Sequence, residues 1–294
     1  MGNIKAHAGL FLAMVVFGLM APFSKDAMNS GVTGFQLATF RICGAALLFW
    51  LSSIVVPQQH VPKRNLLRIA AASIFGIVLA QGGLILGLSL TSPINATMEI
   101  TTQPIFALLL AAIILHERIT LRKAAGVLLG FVGAAILVLL TTSDNGKAAD
   151  FRGDIIVFVS QISFALYLTI FSDIIRRYSL FTFNKWMFTF ASIFLLPLTL
   201  NDMMQLKWTT LSLRTIGEIA YIIVFCTFIT FLLVVYSQRK LSSTVVSTYN
   251  YVQPFVTVTA SLLMGLAVFQ WQHLIAAILI FTGVWLVISA RQTK

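Results

Sequence analysis

The sequence predicts an all-α integral membrane protein with ten transmembrane helices arranged as two inverted five-helix repeats. Three observations predict it. Of 294 residues, 59% are hydrophobic and only 10% charged, and mean hydropathy is +0.94. A soluble domain carries roughly 25% charged residues to face water all round. Gln103-Pro104 recurs as Gln253-Pro254, and Gly133 recurs as Gly283, both 150 residues further on. Finally, the charge-poor windows between short polar breakers number ten, five in each copy of the repeat.

Taken in order, the windows are 6–25, 34–56, 67–90, 93–115, 121–140, 154–177, 182–200, 214–239, 243–265 and 271–290. Each is long enough to cross a bilayer, which takes about 20 apolar residues. The stretch from Leu241 to Ala290 contains no Asp, Glu, Lys or Arg, so it must hold two spans. Separators carry breakers or charge: Asn29-Ser30-Gly31, Pro57 to Arg64, Thr91-Ser92-Pro93, and His116 to Lys123. The longest polar stretch, Thr141 to Arg152, joins the halves, giving repeats at 1–143 and 152–294. The apolar run after Lys5 has no small-x-small cleavage site and is read as the first span, uncleaved.

Lys and Arg set the orientation. With a cytoplasmic N-terminus, fourteen fall on inner segments and five (Lys25, Lys147, Arg152, Lys207 and Arg214) on outer ones, with Arg41 inside a span. That bias predicts both termini in the cytoplasm and a place in the cytoplasmic membrane. The net charge of +11 then belongs to loops facing anionic headgroups, and nucleic acid is not an expected partner. An odd number of spans per repeat makes the halves inverted. Cys43 and Cys226 fall inside predicted helices and read as packing residues, with no disulfide framework or metal spacing.

Ala96, Gln103-Pro104-Ile105-Phe106, Leu115-His116-Glu117-Arg118-Ile119-Thr120 and the glycines 126, 130 and 133 form a further pattern. It resembles the drug/metabolite transporter superfamily in its ten-helix EamA-type branch. That family has a proline-centred fourth helix, a His-Glu loop and a glycine-spaced fifth helix. Lys25 and Arg41 also sit where such proteins carry basic residues. The second copy is degenerate: Glu117 corresponds to Ala267, Gly126 to Ala276 and Gly130 to Ile280. The resemblance implies export or exchange of small metabolites such as amino acids, nucleosides, sugars or cationic drugs.

Among individual residues Glu99 stands out. About nine residues into span 4, it lies roughly 12 Å below the outer surface at about 1.5 Å per residue. A carboxylate at that depth needs a partner, a water-filled cavity or a proton. It reads either as a coupling or recognition group or as the ion-pair partner of Arg41, at similar depth in span 2. Gln103 follows one helical turn later and shares its face. The repeat offset carries Glu99 to Tyr249 and Gln103 to Gln253, giving two matching polar stripes beside mid-helix prolines, with Asn250 adding to the second. Gln81 before Gly82-Gly83, and Tyr167 on a polar face of span 6, complete the candidate substrate or coupling set. Trp186, Phe23 and the glycines read mainly as packing.

No Walker A sequence, H-E-x-x-H or G-x-S-x-G is present, and the four His are far apart at 7, 60, 116 and 273, so no enzymatic activity and no cofactor are expected. Inverted repeats point to a carrier with its site where the halves meet, working by alternating access. Spans 1, 3, 4, 6, 8 and 9 are expected to line that site. The expected partners are a small-molecule substrate, the lipid bilayer and, as a candidate coupling ion, the proton; the chain is a monomer or homodimer. The alternatives are handling or flipping of a lipid-linked substrate, an accessory membrane subunit, and a channel.

Overall fold

The computed structural model describes residues 2–91, 96, 99–140, 151–206, 211–263 and 271–290. Among them every regular element is helical. In chain order these are α1 Ile4–Asn29, α2 Gly34–Val55, α3 Lys63–Leu90, α4 Gln103–Ile114 and α5 Leu121–Leu140. There follow α6 Phe151–Ile170 (continued past Phe171 by a short turn of helix, Ser172–Arg177), α7 Leu180–Met204 and α8 Leu213–Gln238. The last two are α9 (243–263) and α10 Trp271–Ser289. Seven helices among the described residues are long and apolar enough to cross a membrane: α1, α2, α3, α6, α7, α8 and α10. Apolar side chains such as Leu47, Ile113, Leu198 and Trp285 stay exposed on the outer surface of this bundle, as a lipid-facing belt requires.

Helix starts follow side-chain chemistry. Thr33 accepts from Gln36 N, and the Gln36 side chain accepts from Thr33 N, a capping box that opens α2 after the left-handed Gly31 (φ 97°). Ser179, Ser212 and Ser242 cap α7, α8 and α9 in the same way, each accepting from the backbone N–H three residues on. Several helices overrun the windows read from the sequence. α1 continues through Lys25 to Asn29, and α7 runs through Pro197 and on to Met204. The polarity of a helix end does not stop it where neighbouring helices satisfy its last turn.

The packing has a regularity of its own. α1 packs on α8 and α9, while α6 packs on α3 and α4; α2 pairs with α7 and α5 with α10. Adding 150 to a residue number turns each of these contacts into another member of the set or into itself. Between α5 and α10 the approach is close enough to demand glycine. A Cβ on Gly126 would lie 2.7 Å from Gly283 O, and one on Gly133 would lie 2.7 Å from Ala276 O. The spacing of these glycines therefore packs helices within one chain.

Two helices share another irregularity. Ile74–Gly82 in α3 and Val224–Ile229 in α8 are wound as π-helix. In the second, Thr227 Oγ1 donates to Ile222 O at 2.9 Å and Thr230 Oγ1 to Phe225 O at 2.8 Å, each bonding a carbonyl five residues back. Such wide turns are uncommon and concentrate at functional sites.

Candidate functional site

A cavity of about 40 Å³ opens where helices from both ends of the chain converge. Its wall draws Met14, Phe17 and Met20 from α1, Gln81 and Leu84 from α3, and Ile100 just before α4. From the later helices come Ser160, Gln161 and Phe164 of α6, Val234 of α8, and Val246, Asn250 and Gln253 of α9. Polar groups in the wall are carboxamides and a hydroxyl, without a formal charge. By volume the space holds roughly three waters.

The α9 side is organised by a local change of winding. Tyr249–Tyr251 form a 3-10 turn, after which the α-helix resumes at Val252 with Pro254 in its first turn. Residues three apart align in such a turn, so Gln253 shares a face with Asn250. Gln253 Nε2 donates to Asn250 Oδ1 at 3.1 Å, and Asn250 Nδ2 donates in turn to Gln103 Oε1. Tyr249 is directed elsewhere, its hydroxyl bonding His7 Nδ1 at 2.9 Å. The expected i,i+4 stripe Tyr249/Gln253 is therefore replaced by Asn250/Gln253.

The first half departs in a parallel way. The backbone leaves the α-helix in a turn at Thr101–Thr102, and α4 starts at Gln103 with Pro104 in its first turn. There the missing N–H costs nothing, because first-turn donors have no intrahelical acceptor. Both prolines thus sit in first turns and not in the middle of an unbroken helix. Glu99 and Gln103 consequently lie on opposite sides of a turn and form no continuous stripe. Thr97 and Met98 lie outside the described residues. Glu99 is half-buried, and its Oε2 is buried with no hydrogen-bond partner.

Arg41 is 1% exposed, yet it does not pair with Glu99. Its Nε donates to Thr227 Oγ1 at 2.8 Å and one terminal nitrogen to Gln81 Oε1 at 2.7 Å, while Phe17 lies 5.8 Å from the guanidinium carbon. The other terminal nitrogen, Nη1, is buried without a partner. Arg41 thus stands one layer behind the cavity wall, against two residues that form it.

Of the eight residues singled out from the sequence, Gln81, Asn250 and Gln253 line the cavity, and Gln103 and Arg41 bond to lining residues. Tyr167 is fully buried at the base of α6, its ring filling the space over Gly76 and its hydroxyl donating to Gln238 at 3.4 Å. It and Tyr249 are outside the wall. Trp186 packs with Lys185 and Phe190, and Phe23 with Tyr221, also away from the cavity. Met14 and Phe17 carry no signal in the sequence, because apolar wall residues look the same there as lipid-facing ones, and Thr227 is marked only by its bond to Arg41.

At the two ends of the bundle, ion pairs tie the helices that flank the cavity. Arg214 at the start of α8 meets Asp26 at the end of α1 at 2.5 Å and Glu218 at 3.0 Å. Arg68 at the start of α3 meets Asp173, past the end of α6, at 2.8 Å. Glu117 pairs separately with Lys123 at 3.1 Å, in the turn that opens α5.

A bundle of apolar helices around a cavity lined by apolar side chains, four carboxamides and one hydroxyl has the make-up of a multi-pass membrane protein. The model of the EamA-like transporter family matches residues 4–139 and again 151–289. The chain belongs to that family, within the drug/metabolite transporter superfamily, and is a membrane transporter and not an enzyme. It is similar to an uncharacterized transporter of Archaeoglobus fulgidus, 26% identical over 288 residues, covering 98% of this chain and all of that one. It is also similar to the uncharacterized transporter YyaM of Bacillus subtilis, 21% identical over 283 residues, covering 96% and 89%. A solved crystal structure superposes with a TM-score of 0.77 at 16% identity, covering 97% of this chain and 96% of that one, a likeness of fold.

Proposed function

We propose that the protein is a secondary carrier that exports or exchanges a small polar metabolite, such as an amino acid, across the cytoplasmic membrane. Ten spans form two inverted five-helix repeats, 1–143 and 152–294, with both termini in the cytoplasm. The repeats rock about the cavity, opening it to each side in turn.

The observation that carries this reading is the composition of the cavity wall. It takes its residues from both halves, on helices related by the repeat offset (α1 with α6, α3 with α8, and α9 opposite the lead-in to α4), and its polar groups from α3 in the first half and α6 and α9 in the second. Several features support the inversion. The family model matches the chain twice. The π-helical segments begin at Ile74 and Val224, repeat mates. Gly126 meets Gly283 while Gly133 meets Ala276, so contacts run down α10 as they run up α5. Antiparallel mates exchanging contacts in this way fit a two-fold axis between the halves. A space for a few waters is too small for a metabolite, so the ion-paired conformation described here is a closed one. Glu99 serves as the coupling carboxylate, with the proton as its ion.

Counterflow in liposomes tests the proposal. Purified protein should exchange one labelled solute class saturably, from a panel of amino acids, nucleosides and quaternary amines. Absence of exchange across the panel by folded protein, or a flux that fails to saturate, would sink it.

A further inference from the structure

Arg41 is the one fully buried side chain in the described bundle that carries a permanent charge close to the cavity, and no described carboxylate pairs with it. Of the described acidic residues, Asp26 and Glu218 face Arg214, Asp173 faces Arg68, Glu117 faces Lys123, and Asp154 accepts from Thr91. Asp202 lies in the last turn of α7, and Glu99 makes no ion pair with Arg41. An intramembrane guanidinium without a counter-charge is costly and marks a functional position by default.

Its bonding has a direction. A guanidinium only donates, so the Gln81 group that faces it must be the carboxamide oxygen, which leaves the Nε2 amino group for other partners. Gln81 is a wall residue of the cavity, and its Nε2 makes no hydrogen bond to a described residue. The arrangement is a pair of N–H donors at the cavity wall, polarised by a cation held behind them. Thr227 fixes that cation from α8, on the opposite half of the chain. Phe17, also in the wall, covers the guanidinium at 5.8 Å. Such a site favours an oxyanion over a neutral acceptor, since charge-assisted hydrogen bonds are roughly twice as strong as neutral ones.

We infer that the solute carried by this protein bears a carboxylate, received by the Gln81 amide with Arg41 as the positioning and counter-charge residue behind it. This rests on the carrier reading for its physiological meaning, but not for its test. Detergent-purified full-length protein is heated with matched pairs of small carboxylic acids and their primary amides, including succinamate against succinamide and N-acetyl-leucine against N-acetyl-leucinamide. The same pairs compete in liposome counterflow. Wild-type protein should bind at least one carboxylate about tenfold or more tighter than its amide. Arg41→Gln and Gln81→Leu should bring that ratio close to one, while Arg41→Lys keeps part of it. A purely structural role for Arg41 would lower thermal stability in the absence of solute and leave the ratio alone.

Equal affinity for acids and amides in the wild type overturns the inference, as does a ratio that survives in Gln81→Leu or Arg41→Gln. Should Arg41→Gln fail to fold, the wild-type ratio and Gln81→Leu still decide. Saturable counterflow without charge preference would sink the inference and leave the carrier standing. Selective stabilisation by carboxylates without counterflow would do the reverse. A panel that neither stabilises the protein nor exchanges overturns both.

Discussion

Asn250 donates its side-chain amide to the Gln103 oxygen, joining the 3-10 turn within α9 to the first residue of α4. The same Asn250 accepts from Gln253, so three carboxamides from two distant segments form one chain of hydrogen bonds beside the cavity. Gln103 and Gln253 are repeat mates, and Asn250 is what connects them.

Replacing Asn250 with Leu should be costly beyond the loss of one contact. Gln103 Nε2 is already buried without a partner, and the change would strand its oxygen as well. Leaving such a group unsatisfied costs about 1–3 kcal/mol. Thermal unfolding in detergent should register a fall of that size, and counterflow by surviving protein should drop. A variant as stable and active as wild type would show that the amide chain holds nothing together.

Glycine substitutions should divide sharply by position. A Cβ on Gly283 would lie 2.6 Å from both Gly126 O and Gly130 N, and one on Gly130 would lie 2.4 Å from Tyr251 Cδ2. Both Gly283→Ala and Gly130→Ala force overpacking, which typically costs about 1–3 kcal/mol. Gly217 has nothing within 4 Å. There Ala should be neutral or stabilise α8 by about 0.5–1 kcal/mol through helix propensity. Melting temperatures of the three single variants settle the ordering.

The ion pairs at the two ends should act in opposite senses. Asp26–Arg214 ties α1 to α8, and Arg68–Asp173 ties α3 to α6, the repeat-related pair of helices. Asp26→Asn should loosen the first closure and Asp173→Asn the second. With Cys43 and Cys226 replaced by Ala, a Gln161→Cys probe reports which side reaches the cavity. Impermeant maleimide should label faster from the outer face in the first variant and from the inner face in the second. Equal labelling from both sides in both variants would exclude a gating role.

Glu99→Gln should keep solute exchange at constant pH and lose the response to an imposed pH gradient. Counterflow with and without the gradient measures both. A gradient response equal to that of wild type would remove Glu99 from coupling.

How far the sequence could be read depended on whether a feature was local. Polarity runs placed the helices, because membrane spans must be apolar and their ends capped, as Ser179, Ser212 and Ser242 are. Gln81, Asn250 and Gln253 were visible as polar residues where polarity is expensive. The i,i+4 stripes expected from the sequence fail because they require an unbroken α-helix. The turn at Thr101–Thr102 and the 3-10 turn at Tyr249–Tyr251 rotate the following residues, and neither leaves a compositional mark. Arg41 was visible, but its partner Thr227 is 186 positions away and is settled only by packing. Phe17 and Met14 were hidden for another reason: lipid and cavity wall select the same apolar side chains.

The π-helical segments of α3 and α8 have a consequence for register. A π turn holds one more residue than an α turn, so everything beyond it is rotated relative to the helix below. In α3 the segment spans Ile74 to Gly82 and contains Gln81; in α8 it contains Thr227. The two hydrogen-bonding partners of Arg41 are thus both presented by slack turns. Shifting a wide turn along its helix would swing the side chains between its old and new positions around the helix axis while both ends keep their register. Each long helix carries within itself a rotary joint, and the buried guanidinium sits with one hand on each.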